Sequence, residues 1–209
     1  SLSATLSGVS AIMVTVEANS GEKGDPRCVV VGLPDATVKE SMDRVSSSIG
    51  NVGFSQPRTH VTINLAPGDI RKEGAAFDLP IALTLLAATG QIECTNLDDF
   101  LIAGELALSG EVRKVRGGLA MAILAKEMGK KGVILPRAAA MEACLIDGLP
   151  VYPVESLAQS ITFLNDHTSI SALSPEESPF FEYAINSQID DFADVKGQYG
   201  LRRALEVSV

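Results

Sequence analysis

The residues that first suggest chemistry lie in "DIRKEGAAFDLPIAL", Asp69 to Leu83. A basic pair, an acid, a glycine and small residues lead into an apolar run of helical period, the outline of a turn that presents a serine at a helix start. A serine in that place cleaves amides without histidine when a neighbouring lysine, its pKa lowered by burial, takes the proton. Such chemistry needs an alcohol and an amine. Ala75, Ala76 and Phe77 stand at the helix start and carry no nucleophilic atom, and Thr84 is two turns further in. Lys72-Glu73-Gly74 reads either as a retained substrate- or partner-binding turn or as a basic strand end, a helix-leading acid and a turn glycine, and Asp78 divides the same way, since a carboxylate near a helix N-terminus interacts with its dipole and accepts bonds from its free amides.

Other catalytic sets have little material. His60 and His167 are the two histidines, and Cys28, Cys94 and Cys144 are far apart, so neither a metal-ligand spacing nor a histidine triad is present. The cysteines read as core residues in a reducing compartment. No run approaches the roughly 20 apolar residues of a membrane span, and "SLSATLSGVSAIMVTVE" alternates like a strand, so a soluble, cytoplasmic protein with no membrane partner is expected.

The net charge of −9 argues against a chain that coats nucleic acid by itself. Residues 1–165 hold 14 basic and 18 acidic side chains, whereas residues 166–209 hold 3 and 8. Between Arg113 and Arg137 seven basic residues face one acid, Glu127, which makes Arg113, Lys114, Arg116, Lys126, Lys130 and Lys131 the candidates for touching a polyanion. A solvated helix surface has the same composition.

The elements that would position these residues follow from periodicity. Two strands are expected in "SATLSGVSAIMVTVEANS", one in "RCVVVGLP" and one in "RTHVTINLAP". Asp35 caps a helix whose apolar residues Val38, Met42, Val45 and Ile49 are spaced by four, three and four. A further helix is expected over 76–88, with Pro80 tolerated in its first turn. "FLIAGELAL" and "GEVRKV" read as a hairpin about Ser109-Gly110. Gly117-Gly118 opens another helix, at a turn that either packs closely or lets a ligand approach the backbone. A strand, "GVILP", and a shorter helix, strand and helix complete an α/β body that ends near residue 165. From 166 to 190, five serines and two prolines with no sustained period read as a linker.

The order "KEGAAFDLPIAL", then "GELALSGEVRKVRGGLAMAILAKEMGKKGVILP", resembles the proteolytic domain of Lon-type peptidases. Carried over residue by residue, that family's serine falls on Ala76 and its lysine on Ala120, so the expected catalytic residues are none. A nearer resemblance is to the magnesium-chelatase-like AAA+ ATPases of the ComM competence protein family, on "VGLPDATVKES", "NLAPGDIRKEGAAFDLPIAL", "GELALSGEV" and the terminal "FADVKGQYGLRRALEV".

This resemblance implies an α/β (α+β) fold of the ribosomal protein S5 domain 2-like, Lon-protease-like kind, a two-layer arrangement of a mixed sheet with helices. It implies an amino-terminal domain over 1–165, a linker over 166–190 and the start of an ATPase module over 191–209, with Val195 and Gln198 beside the adenine of bound nucleotide. No Gly-x-x-x-x-Gly-Lys-Ser/Thr loop occurs in the chain, so no cofactor and no metal are expected within it; the loop, ATP and Mg are expected in the full-length protein.

The function implied is that of a non-catalytic accessory domain in a ring-forming, commonly hexameric, DNA-remodelling motor of natural transformation. Its partners would be its own ATPase module and, as a candidate, DNA. Two alternatives stand beside it. One is a magnesium chelatase motor subunit. The other is a peptidase with a non-standard nucleophile, Ser109 or Thr84, served by Lys114 or Lys72.

Overall fold

A computed structural model describes residues 1–23, 27–72, 74–94, 96–181, 197, 199–200 and 203–204. The expectations for Glu73, Val195 and Gln198 fall outside the described residues.

The strands are β1 (Leu2–Ser7), β2 (Ser10–Lys23), β3 (Arg27–Val31), β4 (Thr59–Ala66), β5 (Phe100–Ile102), β6 (Glu105–Leu106), β7 (Val112–Arg113), β8 (Gly132–Pro136) and β9 (Val151–Val154). The helices are α1 (Ala36–Asn51), α2 (Asp78–Ala88), α3 (Gly118–Glu127), α4 (Arg137–Ala143) and α5 (Leu157–Asn165). Seven strands form one sheet in the order β3-β4-β2-β1-β5-β8-β9. β1 and β4 run antiparallel to β2, while the β3/β4, β1/β5, β5/β8 and β8/β9 pairs are parallel. This is the mixed sheet with helices that the resemblance implies, but helices cover both of its faces, so there are three layers where two were expected. The hairpin expectation needs correcting, because "FLI" joins the main sheet as β5 and only β6 and β7 pair across the turn, Glu105 opposite Arg113 and Leu106 opposite Val112. The fully buried β5 is too short and too apolar to show an alternation that local pattern could have assigned.

Each face of the sheet has its own core. Val14, Val16, Ile63, Leu65, Phe100, Ile102, Ile134 and Val154 meet α1, α2 and α5 on one side. Ala4, Leu101, Ala103, Val133, Leu135 and Val151 meet α3 and α4 on the other. The alternation within β5, β8 and β9 follows from side chains pointing to opposite faces at successive positions.

Helix α1 begins as the sequence predicts. The Asp35 carboxylate accepts the Val38 N–H at 2.8 Å, and Val38, Val45 and Ile49 are fully buried. Helix α2 is buried on every side from Asp78 to Leu86 because it lies between β2, α1 and α5; a helix so enclosed is apolar all round. A short 3-10 turn, Ala75–Phe77, precedes it. At Gly118 a Cβ would stand 2.1 Å from the Ala139 carbonyl oxygen, so the glycine permits the close packing of α3 on α4 that its sequence context predicts. Residues beyond α5 lie against the body: Ile170 is buried, the Leu173 N–H donates to the Val151 carbonyl at 2.9 Å, and Ser178 Oγ donates to the Met141 carbonyl at 2.6 Å.

Candidate binding cleft

The turn that resembles a peptidase site is fastened on two sides by its backbone. Lys72 N–H donates to the Leu33 carbonyl at 3.3 Å, and Asp35 N–H donates back to the Lys72 carbonyl at 3.1 Å. Beyond the turn, Gly104 N–H donates to the Ala76 carbonyl at 2.9 Å and Leu79 N–H to the Gly104 carbonyl at 3.0 Å. Gly74, at φ 83° and ψ 175°, takes a conformation that suits glycine, and its N–H points at Asp35 Oδ2, 3.4 Å away. The turn therefore has a fixed shape without any catalytic atom on it.

Two charged side chains of this region are buried, which the sequence did not suggest. Lys72, the second of the basic pair before the turn, is 0% exposed, and its ammonium donates to the Pro67 carbonyl. Burial pushes the Lys72 amine below its ordinary value, with Asp69 acting in the opposite direction. Asp78 does not cap α2. Its carboxylate takes Arg44 Nε at 2.7 Å and Nη2 at 3.2 Å, and accepts the Leu106 N–H at 3.1 Å. Burial raises the Asp78 carboxyl above its ordinary range, while Arg44, Ser41 and the Leu106 amide act to lower it. These bonds tie α1, α2 and β6 together over 34 and 28 residues of chain. A two-pronged guanidinium and a backbone donor are what a buried carboxylate requires.

The turn forms one wall of a cleft of about 540 Å³. Gly74, Ala75 and Ala76 line it together with Lys114, Val115 and Arg116, with Met121 of α3, and with Ala4, Thr5 and Leu6 of β1. Asp35 and Glu105 also reach it. Ala120, on which the resemblance would place the peptidase lysine, lines a separate hollow with Val9, Ser10 and Ile123. Helix α3 thus turns Met121 toward the cleft that Ala76 lines.

The six candidate cations fall into two groups at opposite ends of α3, whose ten residues span about 15 Å. At the far end Lys126 donates to the Asp147 carbonyl at 2.8 Å, Lys130 to the Asp98 carbonyl at 3.0 Å, and Lys131 pairs with Asp99 at 2.8 Å. At the near end Arg113 pairs with Glu105 at 3.6 Å. Lys114 and Arg116 remain at the cleft, both exposed and, among the described residues, without an ion pair.

The alternative nucleophiles are poorly placed for catalysis. Thr84 is buried in α2, where its hydroxyl donates to the Pro80 carbonyl at 2.7 Å. Ser109 and Lys114 line a second, larger hollow of about 790 Å³ near the ends of β8 and β9. Both are exposed, and activation of a lysine requires its removal from water. Burial raises the thiols of Cys28, Cys94 and Cys144, which keeps them protonated and inert at neutral pH. Among the described residues no group of three His, Cys, Asp or Glu side chains could hold a metal, and no helix is long and apolar enough to cross a membrane.

Sequence reasoning missed Arg44 as the partner of Asp78, and missed Thr5, Leu6 and Glu105 as parts of the cleft. Only the place of an arginine midway along α1, off its apolar stripe, could have hinted at the first. Nothing local marks the others.

The family model described as subunit ChlI of Mg-chelatase matches residues 16–139, more than half of the chain. The competence protein ComM of Haemophilus influenzae is 38% identical over 204 residues, 96% of this chain and 39% of that protein. YifB of Escherichia coli is 39% identical over 202 residues, 96% of this chain and 38% of that protein. The DNA repair protein RadA of Aquifex aeolicus is 36% identical over 104 residues, half of this chain and 22% of that protein. The chain thus spans about two fifths of the length of its ComM and YifB relatives. On the span and identity of these matches, the chain belongs to the magnesium-chelatase-like ChlI family, together with its ComM relatives.

Proposed function

We propose that this chain is a non-catalytic accessory region of a longer magnesium-chelatase-like AAA+ ATPase that remodels DNA, driving branch migration in natural transformation. The observation that carries the reading is Ala76, held in a turn fastened at both ends and facing a cleft, where a hydrolase would need a nucleophile. A shape kept without its chemistry suits positioning or binding. The names of two relatives, a competence protein and a DNA repair protein, supply the direction toward DNA.

The motor would work as a ring, commonly a hexamer, with this region contacting its own ATPase module and the assembled ring engaging DNA. ATP and Mg belong to the rest of that protein. This chain has no phosphate-cradling loop in its sequence, so its own residues do not fit the nucleotide. The division into a domain over 1–165, a linker over 166–190 and the start of the ATPase module over 191–209 is part of the same proposal.

The test is ATP hydrolysis by the full-length protein with and without DNA, together with branch migration of a synthetic four-way junction. Hydrolysis stimulated by DNA and movement of the junction are the expected results. Absence of both would sink the reading. The family description favours one second reading, a chelatase motor subunit. Magnesium insertion into a porphyrin, dependent on the full-length protein and ATP, would support that reading.

A further inference from the structure

Strand β1 has one open side. Val16 N–H donates to the Ser1 carbonyl at 2.8 Å, so in the antiparallel ladder Ser3, Thr5 and Ser7 direct their backbone groups at β2, while Leu2, Ala4 and Leu6 direct theirs away. Leu2 meets Leu101 of β5, and among the described residues that is the one residue pair between the two strands. Further along, the chain after β5 leaves β1, because Gly104 N–H is taken by the Ala76 carbonyl. The space opened between them is the cleft. It is lined by Ala4, Thr5 and Leu6.

The charges in the cleft are not evenly available. Asp35 accepts from Val38 and Gly74, and Glu105 pairs with Arg113. Lys114 and Arg116 have no ionic partner among the described residues. An extended chain lying along β1 would offer its own amides and carbonyls to Leu6, with alternate side chains directed at the cleft walls. The amide and carbonyl that Leu6 turns away from β2 are matched together by a peptide backbone and not by phosphodiesters, which have no donors.

We propose that the cleft beside Ala76 docks an extended acidic peptide of a partner protein, which adds to the open edge of β1 at Leu6 and sets its carboxylates against Lys114 and Arg116. With alanine at 75 and 76, the docked strand is held and not cleaved. This docking is independent of whether the motor acts on DNA.

The test uses the full-length protein and three fluorescein-labelled probes: a decapeptide of alternating glutamate and valine, its lysine-valine counterpart, and a ten-nucleotide oligothymidylate. Fluorescence polarisation should show saturable binding of the acidic peptide alone, weakened at least tenfold by the double substitution Lys114→Glu and Arg116→Glu and unchanged by Lys130→Glu. Hydrogen exchange should slow at least tenfold at the Leu6 amide when the acidic peptide is added. No saturable binding of the acidic peptide, or binding that survives the double substitution, would overturn the proposal. So would competition by oligothymidylate with no protection of Leu6, which would assign the two cations to a phosphate backbone. A separate failure of DNA-stimulated hydrolysis would leave these results standing.

Discussion

The two faces of the sheet are built from different materials. Around α1, α2 and α5 the core is Val, Ile, Leu and Phe, whereas around α3 and α4 it includes Ala4, Ala103, Ala122, Ala125, Ala139, Ala140 and Ala143. Large side chains hold layers apart and gain stability from buried area; small ones let backbones approach, as Gly118 does against Ala139. The cleft lies where the two systems meet. Ala76 packs at the margin of the small-residue core and Phe77 lies within the large-residue core, so one turn joins both faces. Its position is set by two layers at once.

The largest effects should come from the large-residue face. Phe77→Ala removes a fully buried ring and should cost about 3 to 5 kcal/mol in urea unfolding. Asp78→Ala, which strands Arg44 and the Leu106 amide, should cost a similar amount, about 3 to 5 kcal/mol. If Asp78→Ala combined with Arg44→Met recovers none of that loss, the pair is not the reason the substitution is costly.

On the small-residue face the expected failure is crowding. Ala140→Leu should cost about 1 to 3 kcal/mol, and Leu83→Ala more than that. Equal losses from the two would erase the contrast between the faces.

Lys72 gives a smaller, pH-dependent signal. Its folded pKa lies below the unfolded value of about 10.5, so the unfolded chain binds more protons in the window beneath that value. Stability should therefore rise as pH rises through this window. Lys72→Met should abolish that slope and shift stability at neutral pH by about 1 kcal/mol, the net worth of one hydrogen bond. A slope that persists in Lys72→Met would assign it to other groups. The smallest effect on stability belongs to the double substitution Lys114→Glu and Arg116→Glu, within about 0.5 kcal/mol of the parent protein, because both side chains are exposed.

Much of the fold was legible because its signals are local. Asp35 and the spacing of Val38, Met42, Val45 and Ile49 located α1, and Gly117-Gly118 located the start of α3. Strand β5 was placed in a hairpin because three apolar residues carry no period, and the partner that claims them, β8, lies about thirty residues on. In the cleft, the alanines at 75 and 76 were visible at once. Its lining from β1 was not, because Thr5 and Leu6 lie some seventy residues from the turn.

Composition and order alone determined that this chain has neither a nucleophile at the expected turn nor a phosphate loop, since an absent atom is absent in any fold. They also determined its helices and most of its strands, because capping and periodicity act over a few residues. Only the tertiary structure decided that Lys72 is buried, that Asp78 belongs to Arg44 instead of its own helix, and that β1 is left open beside Lys114 and Arg116. Those outcomes depend on which strand lies beside which, and strand order is set by contacts between residues far apart in the chain.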